Sequence, residues 1–450
     1  MSTETATGRA GLERTLTQRQ LVIIVVGIVI GSGIFIVPAA VLRATDGAWG
    51  LALLVWLIAG VLSLMGALTY GELAVRRPHA GGLYVFLRDS FGAPTAFLYG
   101  WTLFFVIGSG ALATLSAAFA AYLGTIIPLS PLAANLSSLL MILAVAAINI
   151  RGTRQSADVQ TWTTVLKAGV IILMAALLIG TAGPWQEPAA AWPATLSLSA
   201  ISAIGMAMIG VLWAYEGWQW ATFSAGEVKD AQRAFPRGMA VGTLILVVIY
   251  MLANVGYIAA LGPVAAAQTD GIAAAAVTAA FGSAAGVAVA AAICVSIFSA
   301  ANAVVLTSPR VYYAMARDRI FFARLADIHA TRGTPAFAIV ATAAWAMVLS
   351  VTGTFEQLLT YVVFAGWIFY GLAASSIFVM RRREAGQPVA FRVPGYPWIP
   401  LLFVLSAAAI VGNAMVTQPL QAAIGLGVVL AGLPAYVFWK RRAAARTAED

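Results

Sequence analysis

Apolar runs recur along the chain at 20–42, 49–75, 95–125, 135–150, 159–182, 200–225, 237–262, 275–310, 335–352, 357–380, 398–416 and 420–439. A helix of about 20 residues crosses roughly 30 Å of hydrocarbon, so the pattern predicts twelve membrane-spanning helices. The runs are apolar all round, whereas a membrane β-barrel needs short strands that alternate between lipid and lumen. The chain reads as an all-α integral membrane protein with polar tails over 1–19 and 440–450. The first run lacks the short core and small-residue cleavage site of a secretory signal, so it is expected to stay as a span.

Two runs are interrupted near their centres. The first carries Val29-Ile30-Gly31-Ser32-Gly33-Ile34-Phe35, and each glycine weakens a helix by about 1 kcal/mol relative to alanine. The sixth carries Trp213-Ala214-Tyr215-Glu216-Gly217-Trp218, where a carboxylate at mid-membrane costs about 2.5–3.5 kcal/mol unless it meets water or a partner. Paired interruptions in corresponding spans of two halves point to a transport site made of half-helices. A five-span repeat is odd-numbered, so its second copy enters the membrane from the other side. Spans over 20–182 and 200–380 would then be inverted copies, with the helices over 398–439 as additions.

The broken ends offer matched partial charges. The helix restarting after Gly31 presents the N–H groups of Ser32, Gly33 and Ile34 and the Ser32 hydroxyl, which suit a carboxylate. The first halves end on the carbonyls of Ile28 and Val29, and of Trp213 and Ala214, which suit an ammonium. Two poles a few ångströms apart fit an α-amino acid zwitterion. The glycines also have a plainer reading, close helix packing of the small-residue kind.

Composition narrows the classes. Apolar residues make up 61% of 450 and charged residues 10%, which excludes a soluble globular domain. The net charge of +9 comes from arginines gathered in the linkers on one side, while the opposite linkers carry only Arg43. By the positive-inside rule both termini are cytoplasmic, so the charge reflects topology and not nucleic-acid binding. One cysteine, Cys294, allows no internal disulfide, and His79 and His329 fall in loops. No metal, no cofactor and no enzyme chemistry is called for, and no obligate protein partner is evident.

The stretch Gly31-Ser32-Gly33-Ile34-Phe35, the run Tyr70-Gly71-Glu72-Leu73 leading to Gly81-Gly82-Leu83-Tyr84, and Glu227-Val228-Lys229-Asp230 resemble the amino acid, polyamine and organocation (APC) superfamily. So do Ser308-Pro309-Arg310-Val311-Tyr312-Tyr313 and Phe391-Arg392-Val393-Pro394-Gly395. Asn149-Ile150-Arg151-Gly152, with Ala214-Tyr215 and Gly217-Trp218, is similar to the L-type amino acid transporters and their bacterial relatives. The resemblance implies a LeuT-type five-plus-five inverted fold, alternating access and sodium independence, in a plasma membrane such as a bacterial inner membrane. It places the substrate carboxylate on Ser32 and Gly33, beside Gly31, and the ammonium on carbonyls of Val29, Trp213, Ala214 and Glu216. Trp213 would cover the site. Ser109, between Gly108 and Gly110 in span three, is expected either to line the pathway or to act as helix glue.

Two residues set this chain apart. Glu216 stands where the L-type pattern has glycine; it either caps a helix N-terminus or biases the site toward substrates with extra positive charge or a small polar side chain. Lys167 is the only basic residue in the middle of an apolar run. It either snorkels to the interface or, as the resemblance implies, replaces a sodium ion. In the second case the carbonyls of Gly27 and Ile28 and the hydroxyls of Ser296 or Ser299 would satisfy its three donors. A lysine that releases its proton makes a proton symporter, and one that stays charged makes an obligatory exchanger. The reading is a sodium-independent carrier of zwitterionic amino acids, with a polyamine or other organic-amine carrier and a non-transporting sensor as alternatives. Its expected partners are the amino acid, the lipid bilayer and protons in the symport case.

Overall fold

The structure, a computed structural model, describes residues 16–449 apart from 186–188, 194, 196, 270, 330 and 331. Arg9 and Arg14 of the predicted tail lie outside the described residues. Among those residues the chain is helical, and its only β feature is a parallel bridge between Leu16 and Val228.

Span one is two helices, α1 (Gln18–Val29) and α2 (Gly33–Ala44), bent by 49° across the break. Thr17 starts α1 with a reciprocal cap: its hydroxyl accepts the Gln20 N–H at 3.4 Å, and the Gln20 side chain takes the Thr17 N–H at 2.8 Å. The helix stops where Ile30 leaves the helical region at ψ 89°. Span two is α3 (Trp49–Arg76). A short helix, α4 (Leu83–Phe91), follows it and was not predicted by the apolar pattern. Gly81 and Gly82 precede it at φ 108° and 44°, a turn that only glycine makes without strain.

Span three is α5 (Ala93–Thr102), a π-helical turn over Leu103–Gly108, and α6 (Ser109–Ile126). Spans four and five are α7 (Pro131–Arg151) and α8 (Thr153–Gly180). Span six is α9 (Leu198–Ala214) followed, past Tyr215–Gly217, by a 3₁₀ segment over Trp218–Glu227. Runs of 3₁₀ helix longer than a turn are uncommon, and outside donors support this one. Gly81 N–H donates to the Phe223 carbonyl at 2.9 Å, and Leu16 N–H to that of Glu227 at 2.9 Å.

Span seven is α10 (Ala231–Leu261). Two short helices, α11 (Pro263–Ala267) and α12 (Ile272–Phe281), separate it from span eight, α13 (Ser283–Thr307), which α14 (Pro309–Arg317) extends. The predicted start of span eight at 275 therefore falls in α12, because Gly282 turns the chain at φ 87°. The remaining helices are α15 (Ala336–Thr352), α16 (Phe355–Arg383), α17 (Trp398–Thr417) and α18 (Pro419–Glu449). Helix α18 continues through the predicted C-terminal tail.

Ten helices among the described residues are long and apolar enough to cross a membrane, and eleven when the bent pair counts as one. The predicted ninth span, α15, has 17 residues and falls short of that length, so twelve full-length spans are not found. Spans three, eight and ten are 72% buried and the last two 22%; the former form the interior and the latter lie at its edge. Helix α3 packs along α10, α6 along α13, and α2 against α9.

The basic face is closed by ion pairs. Glu72 is fully buried and accepts from Arg76 at 2.8 Å, Arg381 at 2.5 Å and the Val393 N–H at 2.7 Å. Glu384 takes Arg76 at 2.7 Å and also Arg77, and Glu227 pairs with Arg310 at 3.1 Å with both side chains buried. In the sequence, Glu72 near the inner end of span two and Arg310 just after span eight fit either a gate ion pair or a solvated side chain. Helix packing removes the water, so each carboxylate needs its partner.

Candidate functional site

The two breaks face each other. A Cβ on Gly33 would lie 2.6 Å from the Cα of Ala214, and one on Gly217, at φ 130°, would strike Ile28. The glycines thus serve both readings at once, because the break is also where the two spans come into contact.

Between them lies about 390 Å³ of space free of protein atoms, part of it open to solvent. Span one lines it with Ile28, Val29, Gly31, Ser32 and Gly33, and span six with Trp213, Glu216, Gly217 and Trp220. Ala111 and Leu115 of α6 and Val304 of α13 complete the wall. Helix α2 begins here without a side-chain cap, so its first N–H groups and positive end face the space. Three buried polar atoms of wall residues have no protein partner: the Ser32 hydroxyl, Glu216 Oε2 and the Trp220 indole Nε1. The other Glu216 oxygen accepts the Tyr370 hydroxyl at 2.5 Å.

Several predicted site residues take other places. Ala214 does not line the space, and the carbonyls of Val29 and Ala214 each lie 2.9 Å from the Tyr250 hydroxyl. The Trp213 carbonyl accepts the Glu216 N–H at 3.0 Å. At Glu216 the acceptor without a protein partner is the side-chain Oε2, where the sequence had assigned a carbonyl. Ser109 is also absent from the wall, its hydroxyl turned to the Thr342 carbonyl at 3.5 Å. The π-helical turn before it holds more residues per turn than an α-helix, which shifts later side chains around the axis and brings Ala111 and Leu115 to the space.

Lys167 is buried at 3% exposure and does not snorkel. Its ammonium donates to the carbonyls of Gly27 at 2.7 Å, Ile30 at 2.6 Å and Ser296 at 3.5 Å. Three donors thus meet three backbone acceptors, bridging spans one, five and eight. The Ile28 carbonyl predicted for this role is replaced by that of Ile30, since Ile28 faces the cavity. Ser296 contributes its carbonyl, and its hydroxyl donates to Ile30 at 3.4 Å. Ser299 accepts from Thr163 at 2.7 Å and takes no part in holding the lysine.

Tyr250 and Tyr370 went unread in the sequence. A lone tyrosine within an apolar run does need a hydrogen-bond partner when buried, but nothing local says that its partners sit in spans one and six.

The arrangement places an uncapped positive helix end and a hydroxyl on one side of a small cavity and a carboxylate oxygen on the other. It is suited to a solute with a negative and a positive end, and no nucleophile with an activating base lines it.

A sequence profile of the family described as amino acid permease matches residues 16–433. The serine/threonine exchanger SteT of Bacillus subtilis is 31% identical over 438 residues, covering 96% of this chain and 98% of that one. The cystine/glutamate transporter of Homo sapiens is 29% identical over 445 residues, 96% of this chain and 87% of that one. The large neutral amino acids transporter small subunit 2 of Homo sapiens is 29% identical over 432 residues, 93% of this chain and 79% of that one.

Proposed function

The chain belongs to the amino acid permease family, and from that premise we propose that it carries zwitterionic amino acids across a membrane, without sodium, by alternating access around the two breaks. The observation that carries this reading is that the Ser32 hydroxyl and Glu216 Oε2, two of the three unpartnered polar atoms of the wall residues, stand at the two breaks. The substrate carboxylate lies at Ser32 and Gly33 on the N-terminus of α2, and the ammonium lies toward Val29 and Glu216. Spans over 20–182 and 200–380 act as the two inverted repeats, with 398–439 as additions; the meeting of their first-span breaks supports this.

Lys167 holds the place of a coupling cation. Its ammonium occupies a carbonyl cage at Gly27, Ile30 and Ser296, and a second cation there would meet like charge. Exchange, as the name of the Bacillus relative states for that protein, is the favoured mode, with proton symport as the other. The basic face is cytoplasmic, which puts both termini inside, in a plasma membrane that is the inner one where a bacterium has two. The word subunit in the third relative's name refers to an assembly of that protein. In this chain the single cysteine, Cys294, is buried in span eight and offers no thiol to a partner in a loop.

Glu216 supports a second reading, a carrier of organic amines, because a free carboxylate oxygen serves an amine that lacks an α-carboxylate. A radiolabelled panel in proteoliposomes separates the two, run with and without internal substrate and with and without a pH gradient. Neutral amino acids are expected to enter only against internal amino acid; uptake of amines alone would replace the first reading with the second.

A further inference from the structure

Helix α18 keeps Leu430, Leu433, Val437 and Phe438 exposed, and this apolar stretch runs into two arginines. Pro434, Val437, Phe438, Arg441 and Arg442 follow one another at helical spacing and line an open groove of about 830 Å³. The helix starts at Pro419, and about 20 helical residues cross about 30 Å of hydrocarbon, so the guanidinium groups stand where lipid headgroups begin. Arg442 lies over the Trp439 ring, 5.7 Å from its centroid, a contact that holds the cation in place. That ring is itself packed edge-on against Phe322 at 4.7 Å and Phe438 at 5.5 Å. Among the described residues the carboxylates paired at the basic face are taken by other arginines, and neither Arg441 nor Arg442 has an acid partner.

We propose that this end of α18 binds an anionic phospholipid, with the phosphate on Arg441 and Arg442 and an acyl chain along Val437 and Phe438. Two cations without a carboxylate leave an unbalanced charge beside apolar side chains, and such a lipid carries the complement of both on one molecule. Arginine suits the phosphate, because its planar fork gives two parallel hydrogen bonds to the oxygens. A zwitterionic headgroup would bring its own ammonium close to the guanidinium groups, so the net negative headgroup is selected. The apolar floor separates a lipid from a free anion, which has nothing to lay against Val437 and Phe438. Because Trp439 touches both Arg442 and Phe322, the bound lipid braces the end of α18 against the loop after α14. The site does not depend on which solute the carrier moves.

The test is Arg441→Gln with Arg442→Gln in the full chain, read by native mass spectrometry in detergent titrated with phosphatidylglycerol. The unmodified protein is expected to retain a phosphatidylglycerol that phosphatidylcholine does not displace. The double variant is expected to bind it about thirtyfold more weakly, roughly fivefold for each guanidinium. Lys229→Gln with Arg237→Gln removes two other exposed cations of the same face and is expected to leave the affinity within about twofold, since salt screens distant charges. An equal loss in both double variants would reduce the effect to the general pull of a basic surface and overturn the site. Displacement of the lipid by millimolar inorganic phosphate, an anion with no tail, would overturn the lipid assignment. Thermal unfolding gives a second readout: phosphatidylglycerol is expected to raise the melting temperature of the unmodified protein and not that of the Arg441→Gln, Arg442→Gln variant. Equal stabilisation of the two overturns the proposal. Neither readout involves transport, so the lipid site and the amino acid function fail separately.

Discussion

At the scale of single residues, Lys167 and Glu216 are ionisable groups buried inside the bundle, and each is answered differently. Lys167 is satisfied by three carbonyls from two other spans. Lys167→Ala takes the ammonium from all three and leaves Ile30 only the Ser296 hydroxyl at 3.4 Å, an unmet buried acceptor costing about 1–3 kcal/mol, so exchange in proteoliposomes is expected to fall more than about tenfold while the protein still elutes as a folded species. Near-normal uptake would remove its coupling role. Glu216 keeps one oxygen free toward the cavity. For Glu216→Gly the competition ranking is expected to turn from cationic toward neutral amino acids, by several-fold in relative potency, and an unchanged ranking would show that the carboxylate selects nothing. Both residues were legible in the sequence because a charge within an apolar run needs a reason. Ser109 and Ser299 were legible only as polar residues, since the π-helical turn and Thr163 decide where they point. Tyr250 was illegible for a related reason: its two acceptors lie 221 and 36 residues away along the chain.

At the scale of elements, the breaks in spans one and six work because they touch. Gly33→Ala would place a methyl 2.6 Å from the Ala214 backbone, a clash that backbone must move to relieve and that costs roughly 1–3 kcal/mol. The melting temperature and the exchange rate are both expected to drop. Gly124→Ala, which meets nothing within 4 Å at a helix position, is the control and is expected to leave both unchanged or slightly improve stability. Equal effects from the two substitutions would mean that the contact between breaks does not matter. The Gly-Ser-Gly signal gave the first break to within a residue, because glycine in a span is a local fact. The second half of span six resisted reading, since its 3₁₀ form depends on donors from Gly81 and Leu16. Helices α4 and α11 were missed because they are too short to leave an apolar run of membrane length, and α12 was merged into the eighth run because its apolar residues continue into α13.

At the scale of the whole molecule, the basic face is locked by carboxylates clasped between arginines of α3 and the end of α16. Glu384 lies just beyond the end of α16. Burial pushes its pKa up, but hydrogen bonds from Arg77 and Arg76 outweigh this and hold it below the ordinary carboxylate value. A depressed folded pKa gives stability that is present above the unfolded value, about 4.3 for glutamate, and is lost as pH falls through the folded one. Glu384→Gln is therefore expected to lower the melting temperature at pH 7 by roughly 1–3 °C, with the gap closing as pH falls below about 4. A gap that stays constant between pH 7 and pH 3 would contradict the ion-pair account. The charge asymmetry behind this face was plain in the sequence, yet the pairs were not, because arginine position in a linker says nothing about which carboxylate lies across from it.

The central claim is that a solute is held by both of its charged ends between the two breaks. Its most direct measurement is counterflow of a labelled neutral amino acid into proteoliposomes loaded with the unlabelled form, challenged by the same compound with its α-carboxylate esterified and by the decarboxylated amine. The account predicts that the zwitterion exchanges and that each compound lacking the carboxylate competes at least about tenfold less well, the loss expected when a charge-assisted contact to the α2 N-terminus is removed. Equal competition by the amine would contradict it.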